Sequence, residues 1–344
     1  MAKVRRVPGV RLVLSFLARA LALIALIGTG AHYLPSQFAA WPFVPEVVSL
    51  TPWYALAALI ALVLSLLSRR WFTSLLALAC LYVGVSWQLP FFSDEHTLPK
   101  DALAAGAAEQ PIKDDYAARV MTANVFRGHA DAATIVQVVR DNRVEVLALQ
   151  ETTDDFVKRL EKAGIKDYLP YSKVSSADGK YGNGLWSLTP LGSPARDDVD
   201  SSASQMPAGT VTFGQDRDIR FVSVHTTSPS PGSWQQWKRS LDELSNMKSH
   251  VYTRYVFLGD FNATYDHAPF RDFLGNRFSD AARYSGHGFT FTWPMDRPGI
   301  PPFAGIDHIV VDRGIQSGQL KTLSIPGSDH RALVGTIWVG ESGR

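Results

Sequence analysis

One segment of ten residues carries the clearest structural signal in this sequence: Tyr255-Val256-Phe257-Leu258-Gly259-Asp260-Phe261-Asn262-Ala263-Thr264. It begins as a short apolar run, which is typical of a buried strand, and it breaks at a glycine. Asp260 and Asn262 follow the break, and on an extended backbone residues i and i+2 point to the same side. We therefore expect these two side chains to share one face at the end of a sheet, where they can bind one phosphate. The alternative is an ordinary strand-ending turn, since Asp and Asn also favour turns.

The composition limits the class of protein and the kinds of site. The chain has 344 residues, enough for one large domain and an accessory segment. A formal net charge of +2 with 19% charged residues does not indicate an electrostatically driven nucleic-acid binder. Cys80 is the only cysteine, which excludes disulfides within the chain and cysteine-rich zinc sites. Its apolar neighbours indicate that it serves packing.

Three apolar runs in the first quarter of the chain predict membrane-spanning helices, at residues 12–34, 53–67 and 71–87. The first has the length that a bilayer requires, and the others are slightly shorter but flanked by tryptophans, as is common at membrane interfaces. A signal peptide explains only the first run. A soluble hydrophobic domain would show polar faces at helical spacing, which these runs lack. We therefore expect residues 1–90 to form a multi-pass anchor in the cell membrane.

The basic residues predict the orientation of this anchor. The turn between the second and third runs contains Arg69 and Arg70, whereas the loop at residues 35–52 has no Lys or Arg. The N-terminus is also basic, with Lys3, Arg5, Arg6 and Arg11. The positive-inside rule places the N-terminus and the turn in the cytoplasm, so three crossings put the rest of the chain on the extracytoplasmic side. We expect Arg19, within the first run, to reach the cytoplasmic headgroups on its flexible stem.

The remaining sequence predicts a linker followed by an α/β domain. Residues 91–115 mix proline, alanine, glycine and charged residues, as a linker does. From 116 to 344, apolar strands alternate with amphipathic stretches, which is the α/β pattern. The further predicted strands are 119–126, 144–149, 184–188, 209–213, 219–224, 289–293, 306–311 and 332–339, with residues 214–218 as a hairpin turn. The predicted helices are 130–142, 154–163 and 233–250, the last with Ser233 as its N-cap.

Several predicted strands end in a side chain suited to metal or phosphate chemistry. Each alone has a structural explanation, such as a turn, a solvated helix start or a satisfied loop histidine. Their joint occurrence at strand ends indicates one site. Glu151 offers a hard oxygen ligand suited to Mg²⁺ or Mn²⁺, and Asn124 and Asp329 can complete its shell. The full set is Asn124, Glu151, His225, Asp260, Asn262, Asp307, Asp329 and His330.

The order of these motifs resembles the endonuclease/exonuclease/phosphatase superfamily, which contains deoxyribonuclease-I-like nucleases, abasic-site endonucleases, sphingomyelinases and inositol-phosphate phosphatases. The resemblance covers residues 116–339. It implies a four-layer α/β sandwich, with two packed β-sheets flanked by helices and a site where the sheet ends converge. The motifs are Thr122-Ala123-Asn124, Leu149-Gln150-Glu151, Val224-His225, Gly259-Asp260-Phe261-Asn262, Ile306-Asp307-His308 and Ser328-Asp329-His330.

The resemblance also implies a role for each catalytic residue. Asp260 would position or deprotonate the attacking water, and Asn262 would hydrogen-bond the transition-state oxygens. His330, held by Asp307, would be the other acid–base or phosphate-contacting group. His225 matches the histidine that lies near the leaving group in the deoxyribonuclease and sphingomyelinase branches.

Two positions depart from the pattern of the superfamily. Phe126 stands where some members have a second metal-binding acid, and Gly305 stands where many have an arginine before the Ile-Asp pair. The first departure removes one metal ligand and the second removes one phosphate contact. Neither touches Glu151, Asp260 or His330, so we expect activity with one principal metal.

The function that we expect is divalent-metal-dependent hydrolysis of phosphoesters, by a nuclease-like phosphodiesterase or a phosphomonoesterase that is anchored in the membrane with its active site outside. Nucleic acid, a nucleotide and a phospholipid head group all remain open as substrates, and no obligate protein partner is evident. Two alternatives also remain: a catalytically silent binding or adaptor domain on the same fold, and a phospholipid head-group phosphodiesterase or phosphatase.

Overall fold

The computed structural model describes residues 8–93, 96–112, 115–214 and 216–340. The basic residues Lys3, Arg5 and Arg6, and Gln215 of the predicted hairpin turn, lie outside these ranges. The chain divides into two compact units. One contains Met1–Pro90 with Asp266–Ala268, and the other contains Phe91–Tyr265 with Pro269–Arg344.

The first unit is helical, and its helices pack through small residues. It contains α1 (Pro8–His32), α2 (Val44–Val48), α3 (Thr51–Leu67) and α4 (Trp71–Gln88). One buried cluster joins Ala22, Ala61 and Ala77, and a second joins Ala25, Ala58 and Cys80, so Cys80 serves packing. A Cβ on Gly28 would lie 2.1 Å from the Tyr54 ring, which leaves no room for a side chain there.

Two helices in the part of the chain that is described are long and apolar enough to cross a membrane: Gly9–His32 and Trp71–Phe91. The third apolar helix, Thr51–Leu67, has 17 residues and is shorter than these two. Length and composition therefore support two candidate spans rather than clearly three.

The second unit contains two six-stranded mixed sheets flanked by helices, which confirms the predicted α/β sandwich. The helices are α5 (Lys100–Ala107), α6 (Ala132–Asn142), α7 (Asp154–Lys162), α8 (Trp234–Ser245), α9 (Ala268–Leu274) and α10 (Ala281–Tyr284). The strands are β1 (Ala117–Asn124), β2 (Val146–Gln150), β3 (Tyr171–Ser175), β4 (Asn183–Ser187), β5 (Gly192–Ala195), β6 (Ala208–Phe213), β7 (Arg217–His225), β8 (Tyr255–Asp260), β9 (Phe278–Asp280), β10 (Asp307–Asp312), β11 (Gln316–Ser324) and β12 (Arg331–Trp338). Sheet 1 has the order β11-β12-β1-β2-β4-β3, and sheet 2 has the order β5-β6-β7-β8-β10-β9.

The central strands are apolar on both faces because each face packs against another layer. In β1, Val120 points into the core between the sheets, and Met121 points into the core that sheet 1 forms with α6 and α7. In β8, Leu258 lies in the core between the sheets, whereas Phe257 stacks on Tyr255 and contacts Phe273 of α9. A slip of one residue would exchange these faces, so burial fixes the register that positions the strand ends.

One prediction about local structure was wrong, and two were confirmed only in part. The segment at 289–293 is not a strand: only Trp293 forms a bridge, with Ala304, because Pro294 has no N–H to continue a ladder. The helix predicted at 233–250 ends at Ser245 and continues as a 3₁₀ turn, Asn246–Ser249. Ser233 stands at the N-cap position, but its hydroxyl donates to the Ser228 carbonyl instead of accepting from the helix.

The segment at 91–115, which we expected to be a linker, contains helix α5. Ala102 of this helix and Leu98 before it are buried against Ala117 and Trp338. Alanine-rich sequence favours helix even without a strong apolar stripe. Its small buried face explains why periodicity alone did not indicate it.

Candidate active site

Three neighbouring strands of sheet 2 bring His225, Asp260 and Asp307 to one edge. His225 and Asp260 are the last residues of β7 and β8, and they face each other in a parallel ladder. Asp307 is the first residue of β10, which runs antiparallel to β8, and it lies directly opposite Asp260. Strand direction and register alone therefore place the three side chains next to one another.

Sheet 1 delivers the other predicted residues to the corresponding edge. Asn124 ends β1 opposite Gln150 of the parallel strand β2, and Glu151 follows directly. Strand β12 runs antiparallel to β1, so the residues before it, Asp329 and His330, arrive beside Asn124. The Ser328 hydroxyl fixes the position of this segment by donating a hydrogen bond of 2.7 Å to the Asn124 carbonyl.

Hydrogen bonds and close approaches join the two edges into one site. Asn124 Nδ2 donates to Asp260 Oδ2 across the sheets over 3.0 Å and to Glu151 Oε1 over 3.3 Å. His225 Nε2 lies 3.8 Å from Glu151 Oε1 and 3.7 Å from Asp260 Oδ2. The side chains of this set are all buried: Asn124, Glu151, His225 and Asp260. The end of the sandwich therefore contains one connected polar cluster.

His330 is held by one carboxylate and faces two others. Its Nδ1 donates to Asp307 Oδ2 over 2.8 Å, while its Nε2 lies 3.7 Å from Asp260 Oδ2 and 4.0 Å from Asp329 Oδ1. Burial lowers the pKa of His330, but the charges of Asp307 and Asp260 outweigh it and raise the pKa to about 10. The ring is therefore cationic at neutral pH and stabilises negative charge beside it.

Two of the acidic side chains are harder to ionise than usual. Burial raises the pKa of Asp260, and the charge of His330 only partly offsets it. Burial also raises the pKa of Asp329 to about 6, with a further contribution from the nearby Glu151. A carboxylate with a raised pKa is a stronger base, which suits proton transfer near neutral pH.

The geometry of Asn262 differs from the one that we expected. The strand ends at Asp260, and Asn262 has a left-handed backbone with φ +46°, so the rule for extended residues does not apply. Instead the Asn262 backbone N–H donates to Asp260 Oδ1 over 2.8 Å, and its Nδ2 donates to the Thr226 carbonyl over 3.0 Å. Trp237, which is fully buried, donates from Nε1 to the Asn262 carbonyl. It therefore stabilises this turn from the core.

Glu151 also has a left-handed backbone, with φ +60°. Its Oε2 accepts a hydrogen bond of 2.8 Å from the backbone N–H of Arg127, which itself has φ +53°. Non-glycine residues in this region are strained, and such strain persists where surrounding contacts impose it, commonly at functional sites. The fold thus uses two strained turns to aim Glu151 into the cluster.

The donor set fits a hard divalent cation. Asp307 Oδ1 and Asp329 Oδ1 are buried and have no hydrogen-bond partner within the described ranges. Asp260, Asp307 and His330 each offer a ligand atom within 4.8 Å of the others. Oxygen ligands with unsatisfied buried lone pairs are the chemistry that Mg²⁺ and Mn²⁺ prefer.

All eight predicted site residues thus lie in or beside this cluster. One further residue, His308, stabilises it. His308 was only part of a quoted motif, and the sequence gives no separate indication of its role. Its Nδ1 donates to Asp280 Oδ2 over 2.7 Å and its Nε2 donates to the Ala263 carbonyl over 2.8 Å. Burial lowers the pKa of His308, but its bond to Asp280 and the charge there raise the pKa above its ordinary value. His308 thus links β10 to the turn after Asp260, and its ion pair with the buried Asp280 holds the ring in place.

Comparison with known proteins agrees with the motifs. Residues 121–330 match the model of the Endonuclease/Exonuclease/phosphatase family. No curated protein matches the sequence significantly.

Solved structures share the fold at low sequence identity. Truncated TDP2 from Caenorhabditis elegans superposes with a TM-score of 0.53 at 14% identity, covering 65% of this chain and 98% of that chain. Humanized D. rerio TDP2 gives a TM-score of 0.52 at 16% identity, covering 65% and 99%. A family protein from Bacteroides thetaiotaomicron gives 0.50 at 14% identity, covering 64% and 97%. At these identities the likeness concerns the fold alone.

The His308–Asp280 pair generates a prediction about stability. His308→Ala leaves the buried Asp280 carboxylate without its partner, and we expect it to lower the free energy of unfolding by about 3–5 kcal/mol. Urea unfolding of the full chain in detergent, followed by tryptophan fluorescence, measures this. His287→Ala, at an exposed histidine, is the matched control and should change it by less than about 0.5 kcal/mol.

A double-mutant cycle separates the ion pair from simple packing. Asp280→Asn combined with His308→Gln removes both charges, so the double variant should be more stable than the sum of the single changes predicts. Strict additivity, or a His308→Ala variant as stable as the His287→Ala control, would show that the pair does not hold the turn.

Proposed function

The chain belongs to the endonuclease/exonuclease/phosphatase family, and on that premise we propose that it is a divalent-metal-dependent phosphoester hydrolase acting as a phosphodiesterase. The observation that carries the proposal is the buried His330–Asp307 pair, whose free ring nitrogen faces Asp260 within 3.7 Å. A cationic histidine, a carboxylate of raised pKa and an unsatisfied oxygen donor set in one place suit attack of water on an anionic phosphate.

Asp260 is the residue that we assign to the attacking water. Its Oδ1 is held by the Asn262 N–H, and its Oδ2 accepts from Asn124 while facing both histidines. The carboxylate is thus fixed in one orientation and can accept a proton at Oδ2. A fixed base within hydrogen-bond reach of the water is the geometric requirement of general base catalysis.

His330 and His225 flank Asp260 and are assigned to the phosphate. His330 Nε2 is directed into the cluster because Nδ1 is bonded to Asp307, so it can donate to a phosphoryl oxygen as negative charge grows there. His225 Nε2 lies between Asp260 and Glu151 on the other side, where it can donate a proton to the leaving oxygen. Asn262 stays beside Asp260 and is assigned to the transition-state oxygens.

Glu151, Asn124 and Asp329 are the residues that we assign to Mg²⁺ or Mn²⁺. The amide oxygen of Asn124 accepts the Phe126 N–H and retains a second lone pair, while Asp329 Oδ1 has no other partner among the described residues. When bound, such a cation neutralises charge on the phosphate and polarises it as a Lewis acid. Mg²⁺ prefers oxygen over imidazole, which is why we leave His330 to the phosphate.

The rival from another class is a catalytically silent adaptor on the same fold. A silent domain would be free to lose any of its acid–base groups, whereas in this chain Glu151, Asp260, Asp307 and His330 belong to one connected cluster. Retention of the whole set at the cost of burying several charges favours the enzyme. Nucleic acid, a nucleotide and a phospholipid head group all fit this chemistry.

We further propose that the helical unit anchors the chain through three membrane crossings. At 1.5 Å per residue, Thr51–Leu67 is about 25 Å long, which lies at the short end for a span. Large apolar side chains of the helices face outward, such as Phe72, which is 82% exposed. The helices pack through alanine and glycine, as is common between membrane helices.

The arginines support a cytoplasmic N-terminus. Arg19 and Arg70 both donate to the Ser15 hydroxyl, over 2.7 and 2.8 Å, and Arg11 donates to the Ser68 carbonyl. Arg19 thus reaches back by one turn toward the N-terminus, as snorkelling requires. Basic residues gathered at one end of the helices favour that end as cytoplasmic, with the catalytic unit on the outer side.

Substitutions in the cluster should separate metal binding from proton transfer. We expect Glu151→Gln to weaken Mg²⁺ affinity, with activity partly restored at high metal concentration, because one anionic ligand is lost. Asp260→Asn and His330→Ala should instead lower kcat by at least about a hundredfold at saturating metal. Glu161→Gln, at an exposed pair with Lys166, is the matched control. The assay is hydrolysis of bis-p-nitrophenyl phosphate and nucleic acid by the full chain with Mg²⁺ or Mn²⁺.

Two outcomes of this assay would count against the proposal. Near-normal turnover by His330→Ala would remove the assigned site. Absence of turnover on a broad phosphoester panel, together with absence of metal binding by calorimetry, would favour the silent adaptor.

The membrane orientation predicts where the C-terminus lies. Three crossings from a cytoplasmic N-terminus put Arg344 outside, so a reporter fused after Arg344 that is active only outside the cytoplasm should give signal. A second reporter, active only inside, should give none. The inverse pattern would contradict both the number of crossings and the location of the chemistry.

A further inference from the structure

A pocket adjoins the catalytic cluster and has no role in the mechanism described above. It has a volume of about 380 Å³ and is lined by residues 295–302 and by Arg331, the residue after His330. Pockets of a few hundred Å³ are of the size that binds small molecules or their parts. Met295, Ile300 and Pro302 give it apolar walls, and Arg297 and Asp296 are exposed at its rim.

Backbone hydrogen bonds fix this pocket to the catalytic residues. The Met295 N–H donates to the Asp329 carbonyl and the Arg331 N–H donates to the Thr292 carbonyl, both over 2.8 Å. The Thr292 hydroxyl in turn accepts from the N–H groups of Ile306 and Asp307, each over 3.4 Å. The loop is therefore attached on both sides of the His330–Asp307 pair, and its pocket lies next to these two residues.

Arg331 is the half-buried charged side chain of this pocket, whereas Asp296 and Arg297 are exposed. Its Nε is buried without a hydrogen-bond partner, and it makes no ion pair within the described part of the chain. Two other half-buried arginines of the same unit have carboxylate partners: Arg220 pairs with Asp198 and Arg277 with Asp312, at 2.5 and 2.6 Å. A buried Nε–H without an acceptor is destabilising unless a ligand supplies one.

Gly305 explains why the cation stands at position 331. A Cβ on Gly305 would lie 2.7 Å from the Thr290 carbonyl oxygen, so no larger residue fits without moving the backbone. The positive charge on this side of the site therefore comes from β12 instead.

We propose that Arg331 and the pocket bind a second anionic group of the substrate, a phosphate attached to the leaving or retained part beside the scissile diester. This inference rests on the function proposed above. It specifies the class of substrate, namely phosphoesters that carry a second phosphate. The planar guanidinium offers two parallel N–H donors to phosphate oxygens, which is the geometry of bidentate recognition. The apolar walls then contact the ring or chain that joins the two phosphates.

Two substrates that differ by one phosphate test this inference. The full chain is assayed on thymidine 5′-(p-nitrophenyl phosphate) with and without a 3′-phosphate, and the readout is the ratio of their kcat/KM values. The wild type should prefer the phosphorylated member by at least about tenfold, the scale of one charge-assisted hydrogen bond. In Arg331→Ala the ratio should fall to near one, and Arg331→Lys should retain part of it.

A matched control variant and a second pair of substrates complete the experiment. Arg313→Ala should leave the ratio unchanged, because Arg313 follows the opposite end of β10 and donates to the Asn276 carbonyl. Vesicles containing phosphatidylinositol or phosphatidylinositol 4-phosphate give the same comparison for a lipid source. Loss of the preference on Arg331→Ala in either pair supports the inference. A wild-type ratio near one in both pairs, or a ratio that Arg331→Ala does not change, overturns it.

A binding measurement keeps this inference distinct from the proposed hydrolase. If no substrate is turned over, calorimetry with thymidine 3′,5′-bisphosphate and thymidine 5′-monophosphate still tests the pocket. Tighter binding of the bisphosphate by at least about tenfold, lost in Arg331→Ala, would support the subsite while the catalytic proposal fails. Equal affinity for the two nucleotides would overturn the subsite.

Discussion

Burial of carboxylates at one end of the sandwich is the constraint on which the site depends. Asp260 and Asp307 are 1% and 0% exposed and lie opposite each other in one ladder. Two negative charges at this depth are stable only with positive partners or protons. His330 is bonded to Asp307 and faces Asp260, and His225 lies on the far side of Asp260. Each carboxylate is thus stabilised by a neighbouring histidine. The same buried negative charge favours the binding of a cation.

The apolar strands indicated most of this arrangement in advance. Central strands such as β1 and β8 are buried on both faces, so the polar residue at which each one ends stands out against the apolar run. Strand polarity then forces those ends to meet, which is why Asn124, Glu151 and Asp260 could be assigned to one place. What sequence did not reveal was the backbone beyond the strand ends. Left-handed turns at Asn262 and Glu151 arise from tertiary contacts, not from a local preference of these residues.

Other structural features could not be predicted from the sequence for related reasons. Helix α5 covers Trp338 with a small alanine face, which has no periodicity that a pattern can detect. Phe289, Phe291 and Trp293 have the composition of a strand but lack a partner strand, since Pro294 ends the single bridge. His308 looks like part of a motif in sequence, and only its two acceptors reveal that it supports the turn after Asp260. In each case the missing information was the identity of the packing partner.

We assign the metal to the carboxylate of Glu151 and the phosphate to His330. Electron spin-echo spectroscopy of the full chain loaded with one equivalent of Mn²⁺ tests this assignment directly, since a coordinated imidazole produces modulation from its nitrogen. We expect one bound Mn²⁺ without histidine nitrogen modulation, and weaker binding in Glu151→Gln. Nitrogen modulation that disappears in His330→Ala would contradict it and would place the metal at Asp260, Asp307 and His330 instead.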